Sequence, residues 1–138
     1  MTDIIKLTED ETVHLLMTHL IKEGWVIDSH CLGQKRGCDI TALKDKLKLL
    51  IEVKGAKAGE KSPTKKKDKF DSGQIKTHFG RALVKVLEDK LMNPDYIVAI
   101  AHPDDLEIRK AIGRITPALK NMGIKHFWVS PDGSVIED

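Results

Sequence analysis

Asp39, Glu52 and Lys54 are the residues of this sequence whose types and spacing could do chemistry. Asp39 stands in Gly37-Cys38-Asp39-Ile40. Glu52 and Lys54 interrupt the aliphatic run Leu49-Leu50-Ile51-Glu52-Val53-Lys54-Gly55. Period-two alternation puts Glu52 and Lys54 on one strand face with Lys48 and Leu50, and Leu47, Leu49, Ile51 and Val53 on the other. Residues 38–43 and 46–54 read as two strands of a hairpin that turns at Lys44-Asp45-Lys46. A symmetric turn centred on Asp45 sets Asp39 opposite Ile51. A bulge or a one-residue shift sets it opposite Glu52 and brings the three ionisable groups together. Both registers are open to the sequence.

Two carboxylates converging on one point repel each other, and a hard cation removes that penalty. Mg²⁺ suits such a site because it takes one or two carboxylates together with waters and phosphate oxygens. A bound divalent ion lowers the pKa of a coordinated water and neutralises charge on a reacting phosphate. A lysine two residues along the same face can hold the attacking water or stabilise the transition state. The set as a whole suits phosphodiester hydrolysis. Glu-x-Lys alone is common on exposed strands, where it means only a salt bridge. The upstream Gly-x-Asp and the aliphatic setting are what raise it above that reading.

The elements that must position these groups follow from the periodicity. Thr8-Glu9-Asp10-Glu11 fits a capping box that starts a helix. Val13, Leu16, Met17, Leu20 and Ile21 recur at helical spacing, and Gly24 ends the run. Trp25-Val26-Ile27 reads as a strand. After the hairpin, Ser72 can cap a second helix to about Met92, with Ile75, Phe79, Ala82, Leu83, Val86 and Leu87 on one face and Gln74, His78, Arg81 and Lys85 in a polar line. Residues 96–101 form an apolar strand covered on both faces. A third helix starts at Asp104 or Asp105, with Pro117 as its kink or end. Residues 124–129 form another strand, and Val135-Ile136 can close a last hairpin. The order is α/β: a mixed sheet flanked by helices, in one domain over residues 1–138.

Composition bounds the remaining readings. The 138 residues are 41% hydrophobic and 32% charged, a globular balance. No apolar run approaches the ~20 residues of a membrane span, and Met1-Thr2-Asp3-Ile4-Ile5-Lys6 does not begin a signal peptide, so a cytoplasmic protein without a membrane partner is expected. Cys31 and Cys38 do not make a zinc site and read as core or strand-edge residues. Trp25 and Trp128 read as core. The net charge of +2 says little about partners. The segment 54–69 says more, with seven lysines against Glu60 and Asp68. Lys57, Lys65, Lys66 and Lys67 could track phosphates from a loop, or simply be a solvated charge run.

The motifs Gly37-Cys38-Asp39-Ile40 and Leu49-Leu50-Ile51-Glu52-Val53-Lys54-Gly55, with their surrounding elements, resemble the PD-(D/E)xK nuclease superfamily, which includes restriction endonucleases and archaeal Holliday-junction resolvases. The resemblance runs from the first helix to about Leu87. It implies a restriction endonuclease-like αβββαβ core, here with an added C-terminal helix and strands. It further implies that Asp39 and Glu52 bind Mg²⁺ or Mn²⁺, that the Val53 carbonyl assists, and that Lys54 serves the attacking water. The family often adds a glutamine on the second helix, which Gln74 matches, and a glutamate on the first, for which Glu9 and Glu11 are equal candidates. The resolvase-like position for that glutamate holds Val13, and Cys38 stands where the superfamily commonly has proline.

The function expected is a metal-dependent nuclease acting on DNA in repair, recombination or defence, with His78 and Arg81 beside the lysines as nucleic-acid contacts. A homodimer is expected, because cutting both strands of a duplex usually needs two active sites and the chain is short. The alternatives are a catalytically silent nucleic-acid-binding module of the same fold and an assembly protein whose lysine loop meets an acidic partner.

Overall fold

The computed structural model describes residues 5–30, 39–58 and 69–138. Helix α1 (Glu9–Lys22) begins at Thr8, whose hydroxyl accepts from the Glu11 N–H while the Glu11 carboxylate accepts from the Thr8 N–H, a complete capping box. Strands β1 (Val26–His30), β2 (Ile40–Lys44) and β3 (Leu47–Val53) follow, then α2 (Ser72–Met92) and β4 (Ile97–Pro103). This is the αβββαβ order expected. Two short helices, α3 (Leu106–Ile112) and α4 (Thr116–Asn121), and strands β5 (Ile124–Val129) and β6 (Val135–Glu137) complete the described chain.

The six strands form one mixed sheet in the order β1-β2-β3-β4-β5-β6. β1, β2 and β3 are antiparallel, β3, β4 and β5 run parallel, and β6 returns antiparallel to β5. Alternation along each strand supplies a core to both faces. Leu49, Ile51 and Val53 face α1 through Val13, Leu16 and Leu20, together with Ala99 and Ala101 of β4. Leu50, Val98 and Ile100 face α2 through Ile75, Phe79, Ala82 and Val86. β4 is covered on both sides, as its unbroken apolar run requires. Trp128 is fully buried, and its indole N–H reaches Asp138 at 2.8 Å. No helix among the described residues is long and apolar enough to cross a membrane.

Three expectations are corrected. The hairpin turn has two central residues instead of three: Lys44 pairs with Leu47, and Asp45 takes a positive φ of 54°. Aspartate tolerates that left-handed conformation, so the tighter turn is accessible. Helix α2 is capped by Asp71 and not by Ser72, because the Asp71 carboxylate accepts from the Gln74 N–H at 2.8 Å and the Gln74 side chain accepts from the Asp71 N–H at 2.9 Å. The single third helix is two helices. Asp105 caps the first, and Pro117 neither kinks nor ends a helix but sits in the opening turn of α4. There its missing N–H would have had no partner anyway.

Candidate active site

The two-residue turn decides the register. Ile40 pairs with Ile51, and continuing that count by one residue sets Asp39 across from Glu52. The one-residue shift left open by the sequence is therefore the arrangement found. Asp39 is held in place by the Val53 N–H, which donates to Asp39 Oδ2 at 2.7 Å. Its carboxyl stands next to the Glu52 side chain. Burial first, and then the Asp39 contact, push the Glu52 carboxyl up to about 8.

Lys54 extends the same strand beyond β3, its N–H donating to the Ala101 carbonyl of β4 at 2.9 Å. Its charge is felt by both Glu52 and Glu9, where it favours the ionised form.

Glu9 joins the site from α1, on the far face of the sheet, by way of a close backbone approach. The Ala56 N–H donates to the Leu7 carbonyl at 2.7 Å, and Thr8 bridges Lys57 in parallel, so residues 54–57 run against the start of α1. Gly55 makes that contact possible. A Cβ there would stand 2.4 Å from the Glu9 nitrogen and 2.8 Å from the Thr8 carbonyl carbon. Both obstacles are backbone, so any side chain would drive α1 away. Burial, and then the Asp39 charge, raise the Glu9 carboxyl to about 7. The structure thus separates the two first-helix carboxylates: Glu9 lies beside Asp39 and Lys54, while Glu11 serves the capping box.

Helix α2 lines the site's other flank. His78 stacks edge-on against Phe70 with ring centroids 4.5 Å apart. Its pKa is lowered by burial and then by Lys54 and Arg81, so it stays neutral beside the lysine. Gln74 is committed to the α2 cap through its side-chain oxygen. Lys85, one step further along the polar line, is close enough to lower the Glu52 pKa. It also pairs with Asp89 at 2.6 Å. Two contributors carry little signal in the sequence. Lys85 was visible only as part of a polar line, and Gly55 only as the residue after Glu-x-Lys.

Lys57 is half-buried beside Thr8. Lys65, Lys66 and Lys67 lie outside the described residues, as do Cys31 and Cys38. On either side of residues 59–68 the chain is tied to neighbouring elements: the Phe70 N–H donates to the Ala56 carbonyl at 3.0 Å, and Lys69 pairs with Glu107 of α3 at 2.5 Å.

The donor set fits a hard divalent cation. Asp39 and Glu52 are adjacent carboxyls, and a cation's charge would offset the cost of ionising both in a buried setting. Among the described residues no three His, Cys, Asp or Glu side chains form a ready cluster for a metal. Two carboxylates are nevertheless enough for Mg²⁺, which keeps most of its waters.

No protein-family model and no curated protein matches the sequence. Two solved structures share the fold. An XisH family protein from Nostoc punctiforme superposes with a TM-score of 0.58 at 16% identity, over 92% of this chain and 97% of that one. An fdxN element excision controlling factor protein from Anabaena variabilis gives 0.57 at 19% identity, over 92% and 96%.

Proposed function

We propose that this chain is a Mg²⁺- or Mn²⁺-dependent nuclease that hydrolyses DNA phosphodiester bonds, a member of the PD-(D/E)xK superfamily. The observation that carries the proposal is the juxtaposed Asp39–Glu52 carboxyl pair at the end of β3, with Lys54 and Glu9 beside it. A pure binding module gains nothing from buried carboxylates set where a phosphate would approach. The name of the Anabaena variabilis neighbour, an excision controlling factor, supports placing the work in recombination or excision of DNA.

Asp39 and Glu52 would hold the metal, with the Val53 carbonyl as a further oxygen ligand. When bound, the metal supplies Lewis acidity and an acidified water. The Val53 N–H fixes Asp39 so that the carboxylate need not reorganise. Glu9, with its carboxyl at about 7, is matched to accept a proton near neutral pH. The Lys54 ammonium holds the attacking water or the charge that grows on phosphate. Neutral His78 adds no charge to that of Lys54 and Lys85, and Lys57 and residues 65–67 contact the DNA backbone.

The test is cleavage of plasmid, branched and single-stranded DNA with Mg²⁺, Mn²⁺ or EDTA. The proposal expects metal-dependent cutting by the wild type. It also expects a loss of turnover on the order of a hundredfold in Lys54→Ala at saturating DNA, with affinity little changed. If DNA is bound but none of these substrates is cut, the chain is the silent binding module. Weakened affinity with normal turnover would make Lys54 an ordinary phosphate contact.

A further inference from the structure

Helix α2 has a third face, opposite the buried one, that nothing in the described chain covers. It carries Val84, Leu87 and Leu91, which are 57%, 39% and 79% exposed. Gly80 lies on the same face, with no atom within 4 Å of where its Cβ would stand. Positions 80, 84, 87 and 91 are separated by four, three and four residues. That is the spacing of a seam along which one helix pairs with another. The other two faces are accounted for: Ile75, Phe79, Ala82 and Val86 meet the sheet, while His78 lies toward Lys54 and Lys85 toward Glu52.

We infer that a second copy of this chain occupies this seam, α2 against α2, antiparallel about a two-fold axis. The residues themselves choose that arrangement. Antiparallel pairing sets Leu91 against the partner's Gly80, so the most exposed side chain of the seam fills its one gap, and sets Val84 against the partner's Leu87. Arg81 and Glu88, both exposed, flank the seam on one side two turns apart. The same register brings Arg81 across from the partner's Glu88, twice by symmetry. Parallel pairing would instead set Arg81 across from the partner's Lys76 and leave two glycines facing each other. Charge and shape therefore agree on one orientation.

The flank that carries Arg81 and Glu88 is also the flank nearer His78 and Lys85. A two-fold axis perpendicular to the paired helices puts that flank of both copies on one side of the dimer. Both carboxylate centres then open toward the same side. A seam of one helix lies at the small end of stable interfaces, which bury about 800 Å² per partner, so the dimer is concentration-dependent. The inference does not rest on nuclease activity.

Sedimentation velocity of the full chain from roughly 1 to 300 µM tests it. The wild type should pass from monomer to dimer. Leu87→Glu should weaken the dimer at least tenfold, and Leu91→Glu, in the last turn of α2 and most exposed, provides the same test if Leu87→Glu fails to fold. Arg81→Glu should weaken it by about tenfold, and Arg81→Glu combined with Glu88→Arg should restore it. Three results would overturn the inference: a wild type monomeric throughout, a dimer indifferent to both leucine variants, or a charge swap that restores nothing.

Discussion

At the end of β3, burial and a neighbouring carboxyl hold Glu52 above its ordinary ionisation range, at about 8. One and two strands away on the same face of the sheet, burial holds His102 and His126 below theirs, His126 at about 4. The histidine rings stack at 5.1 Å between centroids, with His102 Nδ1 and His126 Nε2 2.9 Å apart. Their outer nitrogens, His102 Nε2 and His126 Nδ1, have no partner among the described residues. Phe79 and Trp128 lie alongside them. Both clusters are buried polar groups, and both resist carrying charge. The carboxyls sit where β3 ends and the chain turns away toward α1, and a cation there would offset the cost of ionising them. The histidines sit on two neighbouring parallel strands, buried in the core. Burial alone does not mark a functional site; what matters is whether the unmet electrostatic demand faces something that can satisfy it.

The sharpest way to break this contrast is to remove the carboxylates. Asp39→Asn and Glu52→Gln should each lower metal-dependent cleavage on the order of a thousandfold, with circular dichroism unchanged. Full activity in either would take that residue out of the site. Gly55→Ala should come next. Its Cβ must displace the backbone at Glu9, and a misplacement of about 1 Å costs on the order of a hundredfold in rate. The melting temperature should fall with it. A variant with wild-type stability and activity would mean that the approach of α1 to β3 does not set the site.

The smallest effects are on stability, and they have opposite signs in the two clusters. A histidine whose folded pKa is depressed favours folding above its unfolded value of about 6.5, and that contribution is lost as pH falls toward 4. A carboxyl whose folded pKa is raised acts the other way: the folded state holds a proton that the unfolded state releases, so stability falls as pH rises from about 4.5 to 8. Glu52→Gln should therefore raise the melting temperature by a few degrees at pH 8 and by less at pH 5. Replacing both histidines with leucine should flatten the acid side of the stability profile and leave the alkaline side unchanged. A pair of profiles that differ by a constant offset would remove the distinction between the clusters.

How much of this was legible in the sequence depends on how far each contact reaches. The Thr8–Glu11 cap, the two faces of β3 and the doubly covered β4 are local patterns, and each was readable. The hairpin register was not, because it turns on one left-handed residue, Asp45, that composition does not announce. Whether Glu9 or Glu11 faces the site was undecidable because the setting of α1 against β3 is fixed by Gly55, 46 positions from Glu9. The seam on α2 was hidden for a related reason: Leu87 was counted with the buried face of a helix whose rotation only the packed structure sets. His102 and His126 stand on different strands, and nothing in their flanks signals that they meet. The Asp71 cap was missed because Ser72 offered an equally good local solution.

Calorimetric titration of Mn²⁺ into the wild type and into Asp39→Asn and Glu52→Gln at pH 8 probes the claim that the carboxylate centre is a cation site. The wild type should bind one ion, more tightly as pH rises from 6 to 9 because Glu52 must give up its proton. Each variant should lose at least ten- to a hundredfold in affinity. A wild type that binds no Mn²⁺, or one whose binding survives both substitutions unchanged, would contradict the account.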